Sequence, residues 1–319
     1  MRGRKATSSL DQIFPALIHI QAHLDQDLSL DLLADEAQLS KHHFHRLFHK
    51  VTGETPKSYV DRLRLERAAI QLRIRRATVL EIALECGYQN HETFTRAFRA
   101  HFAMTPRDFR RQWSHRPTDP AQEHVQRHPI SPRNGELSTT RIMNFTRMIV
   151  AFIRHLGPYE KVAPDNFKRL SIWAREHGIA GDTPLLLGIA HDAPGITPPE
   201  KLRFDCCVQV PEAFAANGEI ACQRTPGGEY AVTDYVGSWD LKVAYAAVFE
   251  RLRANKKIEI IGLPAIEIFQ TTRIGEQHGL AHVSIAIPVK SQIGSKNGKT
   301  WISKSTRLSQ AMGERKKTK

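Results

Sequence analysis

The 319-residue sequence has only four cysteines, and they form no metal-ligand pattern. Cys86 and Cys222 stand alone, while Cys206 and Cys207 are adjacent and fall on opposite faces of an expected strand. With no pair of CxxC motifs, neither a zinc site nor a disulfide framework is expected. The thiols read as small buried apolar groups in a reducing cytoplasm. No apolar run approaches the ~20 residues that span a bilayer. The N-terminal stretch MRGRKATSSLDQ has no apolar signal core. Both absences point to the cytoplasm and away from a membrane partner. No Ser/His/Asp or Cys/His set is spaced for nucleophilic catalysis, so no catalytic residue, cofactor or metal is assigned.

Charge is plentiful but unevenly placed. The net charge is +13, which favours an anionic partner. Counted along the chain, residues 1–116 carry +6, residues 139–289 carry zero and residues 290–319 carry +8. The basic excess therefore sits at the two ends, and the neutral middle needs a different partner.

The stretch from Thr78 to Arg110 organises the N-terminal part. Ile82, Ala83 and Cys86 make a short apolar stripe, Gly87 breaks it, and Asn90 is placed to cap the next helix. Phe94, Ala97, Phe98 and Phe102 form one face of that helix; His91, Glu92, Thr95, Arg96 and Arg99 form the other. One packing helix followed by a helix with a polar, basic face is the pattern of a helix-turn-helix. The pattern occurs twice. Leu33-Ala34 matches Ile82-Ala83, Phe44–Phe48 matches Phe94–Phe98, and Thr55-Pro56 matches Thr105-Pro106. The second copy is one residue longer at its turn. A preceding helix over Leu10–Leu24 (Ile13, Leu17, Ile20, Leu24) is expected to pack under the first copy, with Ser40 capping its second helix. Pro56–Leu72 reads as the helix that joins the copies. In the first copy His42, His45, Arg46 and His49 line the polar face. His45 and His49 have the i, i+4 spacing of a metal pair, but no carboxylate or cysteine completes a ligand set, so a solvated or DNA-facing role is expected.

On these residues residues 9–113 resemble the AraC-type DNA-binding domain, most specifically in the run IALECGYQNHETFTRAFRAHFAMTPRDFR. The resemblance implies an all-α domain over 1–115 with two tandem helix-turn-helix units on double-stranded DNA. It implies DNA contacts from His42, His45 and Arg46 in the first unit and from His91, Glu92, Thr95 and Arg96 in the second. The two arginines are the strongest candidates, because a guanidinium bonds guanine or phosphate bidentately.

Residues 116–138, rich in proline and polar side chains, read as a linker. From Thr139 the chain is strand-rich and again repeats. Strand, helix, strand and strand occur over 148–210 and again over 230–289, with Gly157-Pro158-Tyr159 matching Gly237-Ser238-Trp239. An α+β domain of two pseudo-repeated halves with a cleft between them is expected. The pieces Gly157-Pro-Tyr, His191-Asp192 with Pro194, Pro199-Glu200, Pro226-Gly-Gly-Glu-Tyr230 and Pro264-Ala-Ile-Glu267-Ile-Phe, in that order, resemble a GyrI-like (SbmC-like) small-molecule-binding domain over 139–290. The resemblance implies that Glu267 faces the ligand cleft. Tyr159, Trp173, Tyr230 and Trp239 are candidates to line it, where rings add cation–π attraction. Residues 291–319 read as a disordered basic tail.

The expectation is a cytoplasmic, non-enzymatic transcription regulator. Its partners are duplex DNA, a small hydrophobic effector with cations in its range, and, as a further candidate, RNA polymerase. Two alternatives share the sequence: a GyrI-like hydrolase that detoxifies a small molecule while tethered to DNA, and a module that grips topoisomerase or polymerase.

Overall fold

The computed structural model describes residues 9–115, 135–162, 164–179, 184–212, 214, 220–269, 280–292 and 300–301. Its N-terminal domain comprises α1 (Ser9–Ala22), α2 (Leu30–Glu36), α3 (Lys41–Thr52), α4 (Pro56–Ile74), α5 (Val79–Glu85), α6 (His91–Phe102) and α7 (Pro106–His115). Helices α2 and α3 form one helix-turn-helix; α5 and α6 form the other. The caps follow from the sequence. Ser29 and Thr55 each accept a helix N–H, Asn90 accepts that of Thr93 at 2.8 Å, and Thr78 and Glu81 form a reciprocal capping box. Ser40 differs from expectation: it is extended before α3, yet its hydroxyl accepts no helix N–H.

The two units repeat down to their backbone strain. Gln38 (φ 53°) ends the turn after α2 where Gly87 (φ 81°) follows α5, and Gly53 (φ 73°) follows α3 where Ala103 (φ 58°) follows α6. Each unit thus puts one glycine and one strained non-glycine into the same two left-handed positions. Gly87 is fixed by space as well. A Cβ there would come within 2.5 Å of the Leu24 carbonyl oxygen.

Among the described residues, the C-terminal domain is one sheet with two α-helices. Its elements are β1 (Gly135–Leu137), β2 (Arg141–Phe145), β3 (Ile149–Leu156), α8 (Pro164–Glu176), β4 (Leu186–Ala190), β5 (Arg203–Val210), β6 (Ala221–Arg224), β7 (Gly228–Gly237), α9 (Lys242–Ala254), β8 (Ile258–Ile260), β9 (Ala265–Phe269), β10 (Ala281–Ser291) and β11 (Thr300–Trp301). The central order is β7-β10-β9-β4-β5-β3, antiparallel throughout. Read from the middle outward it is symmetric: β4-β5-β3 with α8 answers β9-β10-β7 with α9. The β4–β9 pair, Gly188 opposite Glu267, lies on the pseudo-two-fold.

Two boundaries move. Residues 135–137, expected at the end of the linker, form β1 and pair with Tyr235–Gly237. Thr300 and Trp301, expected in a disordered tail, pair in parallel with Asn144 and Phe145 of β2. Backbone hydrogen bonding to an open strand decides both cases, and neither segment carries an apolar period to announce it. Residues 116–134 and 302–319, the rest of the expected linker and most of the tail, lie outside the described residues.

Strand alternation gives the sheet two apolar faces, and both are covered. On one, Ala151, Phe204, Cys206, Val208, Phe269, Val283 and Ile285 pack under Phe167, Leu170 and Ala174 of α8 and Ala244, Val248 and Leu252 of α9. On the other, Val150, Phe152, Leu187, Ile189, Val232, Ile266 and Ile268 share a core with Ile13, Phe14, Leu17 and Ile20 of α1 and with Phe44 and Phe48 of α3. Phe14 meets Phe152 edge to face, ring centres 5.6 Å apart. The first helix-turn-helix unit and the sheet therefore share one core. Phe14→Ala is expected to cost about 3–5 kcal/mol and, in calorimetry of the full chain, to lower the melting of the sheet together with that of the helices. A sheet that melts at the wild-type temperature in this variant would refute the shared core.

Candidate nucleic-acid interface and ligand cleft

The amphipathic pattern of α3 and α6 determines which side chains reach solvent. In α3, Phe44, Leu47 and Phe48 are buried and His42, His45 and Arg46 are exposed. In α6, Phe94 and Phe98 are buried, His91, Glu92 and Arg96 are exposed, and Thr95 is half-buried beside His91. Packing against the sheet uses the opposite sides of the first unit, so both polar faces stay open in the full chain. His91, Glu92, Thr95, Arg96, Arg99, Ala100 and Thr105 line one shallow open groove. Arg99, not counted among the expected contacts, joins it because it follows Arg96 by three residues, close to one helical turn.

The second site lies on the helical face of the sheet, beneath α8 and α9. Glu267 is 6% exposed, on the same strand face as Ala265 and Phe269 and opposite Gly188. A Cβ on Gly188 would fall 2.4 Å from the Phe204 ring and 3.2 Å from a Glu267 carboxylate oxygen, so glycine there leaves room for the ring beside the acid. The Tyr245 hydroxyl of α9 donates to Glu267 Oε1 at 2.9 Å. Burial pushes the carboxyl up to about 7, partly offset by that hydrogen bond. Tyr245 itself is raised far above its ordinary range, by burial first and the adjacent carboxylate second.

Aromatic rings pack on the same face of the sheet as the acid. Tyr159 meets Phe204 edge to face at 5.7 Å, and Trp239 stacks on Phe269 at 6.3 Å. Phe269 in turn meets Phe167 of α8 at 4.9 Å. Trp173 turns its ring to Phe214 and His177. Tyr230 is a correction. It was expected in the cleft, but it stacks on Phe145 at 4.5 Å, donates to the Pro226 carbonyl and belongs to the core on the other face. Tyr230 lies in register with Pro288, an even position on β10, whereas Val283, Ile285 and Ile287 face the helices, and strand parity sends it away from Glu267. Tyr245, Phe204 and Phe167 were not anticipated. The only signal for Tyr245 was its i, i+4 pairing with Phe249 on α9.

Among the described residues no cluster of His, Cys, Asp or Glu could hold a metal ion. No helix among them is long and apolar enough to cross a membrane.

Comparison with known proteins agrees with this division. Residues 33–112 match the family model of a helix-turn-helix domain, and residues 138–290 match that of a GyrI-like small molecule binding domain. The chain is similar to the regulatory protein SoxS of Salmonella typhimurium, 39% identical over 103 residues, which are 32% of this chain and 96% of that protein. It is also similar to the right origin-binding protein of Escherichia coli K12, 44% identical over 100 residues, or 31% of this chain and 35% of that protein. The match thus spans about a third of the length of that relative. Among solved structures, an AraC-type transcriptional regulator from Chromobacterium violaceum is 31% identical, covering 34% of this chain and 96% of that one at a TM-score of 0.32.

The Glu267 carboxyl gives a stability test. Its folded value of about 7 lies above the ordinary 4.5, so the folded chain keeps a proton that the unfolded chain loses. Stability is then lost as pH rises from about 4.5 to 7, and the loss is complete above that window. Denaturation of the wild type, relative to Glu267→Gln, is expected to show a decline on the order of 3 kcal/mol across that window. Parallel pH profiles for the two proteins would place Glu267 in water.

Proposed function

The chain belongs to the AraC-type family of helix-turn-helix regulators, and from that premise we propose that it is a transcription regulator with two inputs. It reads duplex DNA through α3 and α6, and it senses a small hydrophobic cation in the cleft around Glu267. The observation that carries the DNA half is that both polar recognition faces remain exposed although the first unit shares its core with the sheet. Two such faces in one chain suit successive major-groove segments ~34 Å apart. The ligand half is supported by a carboxylate held among rings with one neutral hydrogen-bond donor. A cation entering there would ionise Glu267 and recover the charge attraction that burial denies it. Residence in the cytoplasm and contact with RNA polymerase belong to this reading as the setting and the outlet of regulation.

DNA affinity of the full chain across a salt series tests it, comparing fragments from the upstream region of its own gene with random duplex. A preference for the upstream fragments that survives moderate salt is expected. Equal binding that collapses with salt would leave only charge attraction. Arg96→Ala is expected to weaken the preferred site by about 1–3 kcal/mol and random duplex far less; an equal loss on both would make Arg96 a phosphate contact only. Turnover of a cation by the full chain, abolished in Glu267→Gln, would replace sensing with catalysis.

A further inference from the structure

From the end of β4 to Arg203, the first residue of β5, residues 191–203 (HDAPGITPPEKLR) run out to the N-terminal domain. Three prolines, Pro194, Pro198 and Pro199, fix φ along this short segment and make it stiff. Its ends are tied together. The Asp192 carboxylate accepts from the Arg203 backbone N–H at 2.8 Å and from its guanidinium at 2.9 and 2.6 Å.

The tied end is anchored at Tyr159, on the helical face of the sheet that also carries Glu267. The Tyr159 hydroxyl donates to the Asp192 carbonyl oxygen at 2.8 Å and accepts from the Asp192 N–H at 3.1 Å. Its ring lies against Phe204, which flanks Gly188 beneath Glu267. The middle of the segment is anchored elsewhere. Ile196 is buried in the core of the second helix-turn-helix unit with Ile82, Phe94 and Phe98. The Thr197 hydroxyl donates to Glu66 Oε2 of α4 at 3.0 Å. Lys201 pairs with Glu54 at 2.9 Å, and Arg62 of α4 holds both of these glutamates. The segment therefore connects Tyr159 to α4, the helix that joins the two helix-turn-helix units.

We propose that residues 191–203 act as a coupling strap, through which the position of Tyr159 in the cleft sets the affinity of the paired recognition helices for DNA. The strap covers neither recognition face, so it acts by geometry. Two units on one duplex bind tightly only when their separation matches the groove, and α4 with the second unit fixes that separation. A cleft molecule that moves the Tyr159 ring shifts DNA affinity through this route only if it binds the two strap positions differently; that trigger rests on the sensing role proposed above, whereas the strap itself does not.

The test is a double-mutant cycle without any ligand. Affinity of the full chain for one duplex selected by the wild type is measured by anisotropy for Tyr159→Phe, Thr197→Val and the double variant. Each single change is expected to alter affinity at least about threefold. The double is expected to match Thr197→Val, because the second cut falls on a strap already released. Thr197→Ser, which keeps the hydroxyl, is expected to retain wild-type affinity and so separates loss of the bond from loss of folding. An unchanged Tyr159→Phe, additive effects in the double, or a serine variant as altered as the valine one would each overturn the strap. Calorimetry with benzyltributylammonium runs alongside. A wild type that binds no cation overturns the sensing role alone, and the strap still stands or falls on the cycle. A cation that changes DNA affinity in the wild type but not in Thr197→Val, while still binding both, supports the strap.

Discussion

A strand sends alternate side chains to opposite faces, and in this protein both faces of the C-terminal sheet are apolar over the central strands. The odd positions of β9 look toward α8 and α9, and the even ones, Ile266 and Ile268, look toward α1 and α3. A sheet apolar on both sides must be covered twice. The second cover here is a DNA-binding unit. That burial is the larger of the links between the first unit and the sheet that carries Glu267. Without it the first unit would lose its packed contact with the sheet, and only the contacts around Ile196, Thr197, Lys201 and Arg75 would still tie the two domains together.

Apolar burial sets the domains together, and polar groups set how they sit. Arg62, Arg154, Lys201 and Arg203 meet Glu54, Glu66, Asp192 and Asp205 at or beside the interface. Burial opposes the charge on Asp205, yet Arg154 and His191 hold its carboxyl far below the usual range. Arg154 also reaches Gln21 of α1 at 3.0 Å, and Gln21 reaches Gln223 at 3.1 Å. Such pairs add little net stability over apolar replacements, but a misplaced partner leaves a buried charge unpaired. The network therefore selects one docking arrangement far more strongly than it strengthens it. Glu66 shows the tension. Burial raises its carboxyl above the usual value despite Arg62, and one of its oxygens has no hydrogen-bond partner among the described residues.

How much of this was legible depended on whether the signal was local. The tandem units were readable because each helix carries its own period, and the same residues recur in order: Phe44-Leu47-Phe48 inside, His42-His45-Arg46 outside. Glu267 stood out as a lone acid in an apolar strand. Tyr230 misled because an aromatic on a strand looks the same from either face; only the register with β10 and β2 decides its side. Tyr245 was hidden because α9 is apolar nearly all round. The docking of α1 on the sheet was out of reach for a different reason. Ile13, Leu17 and Ile20 announce an apolar face, but nothing local says whether that face meets α2 and α3 alone or a second domain as well.

The geometry also constrains how regulation can work. Because both recognition faces are exposed, a model in which the C-terminal domain simply covers the DNA-reading surface does not fit this arrangement. What the C-terminal domain holds instead is the relation between the units: the first through the shared core with β3, β4 and β9, the second through Ile196 and the residues around Thr197. A further contact joins the far end of α4, where Arg75 bridges Glu85 of α5 and Glu259 of β8. Two recognition helices on a fixed spacer gain affinity as a pair only at the right separation, which is an effective-concentration argument rather than a contact argument. Small displacements at the interface are therefore enough to change affinity. By linkage, any molecule in the cleft whose affinity depends on that separation must feel DNA in return.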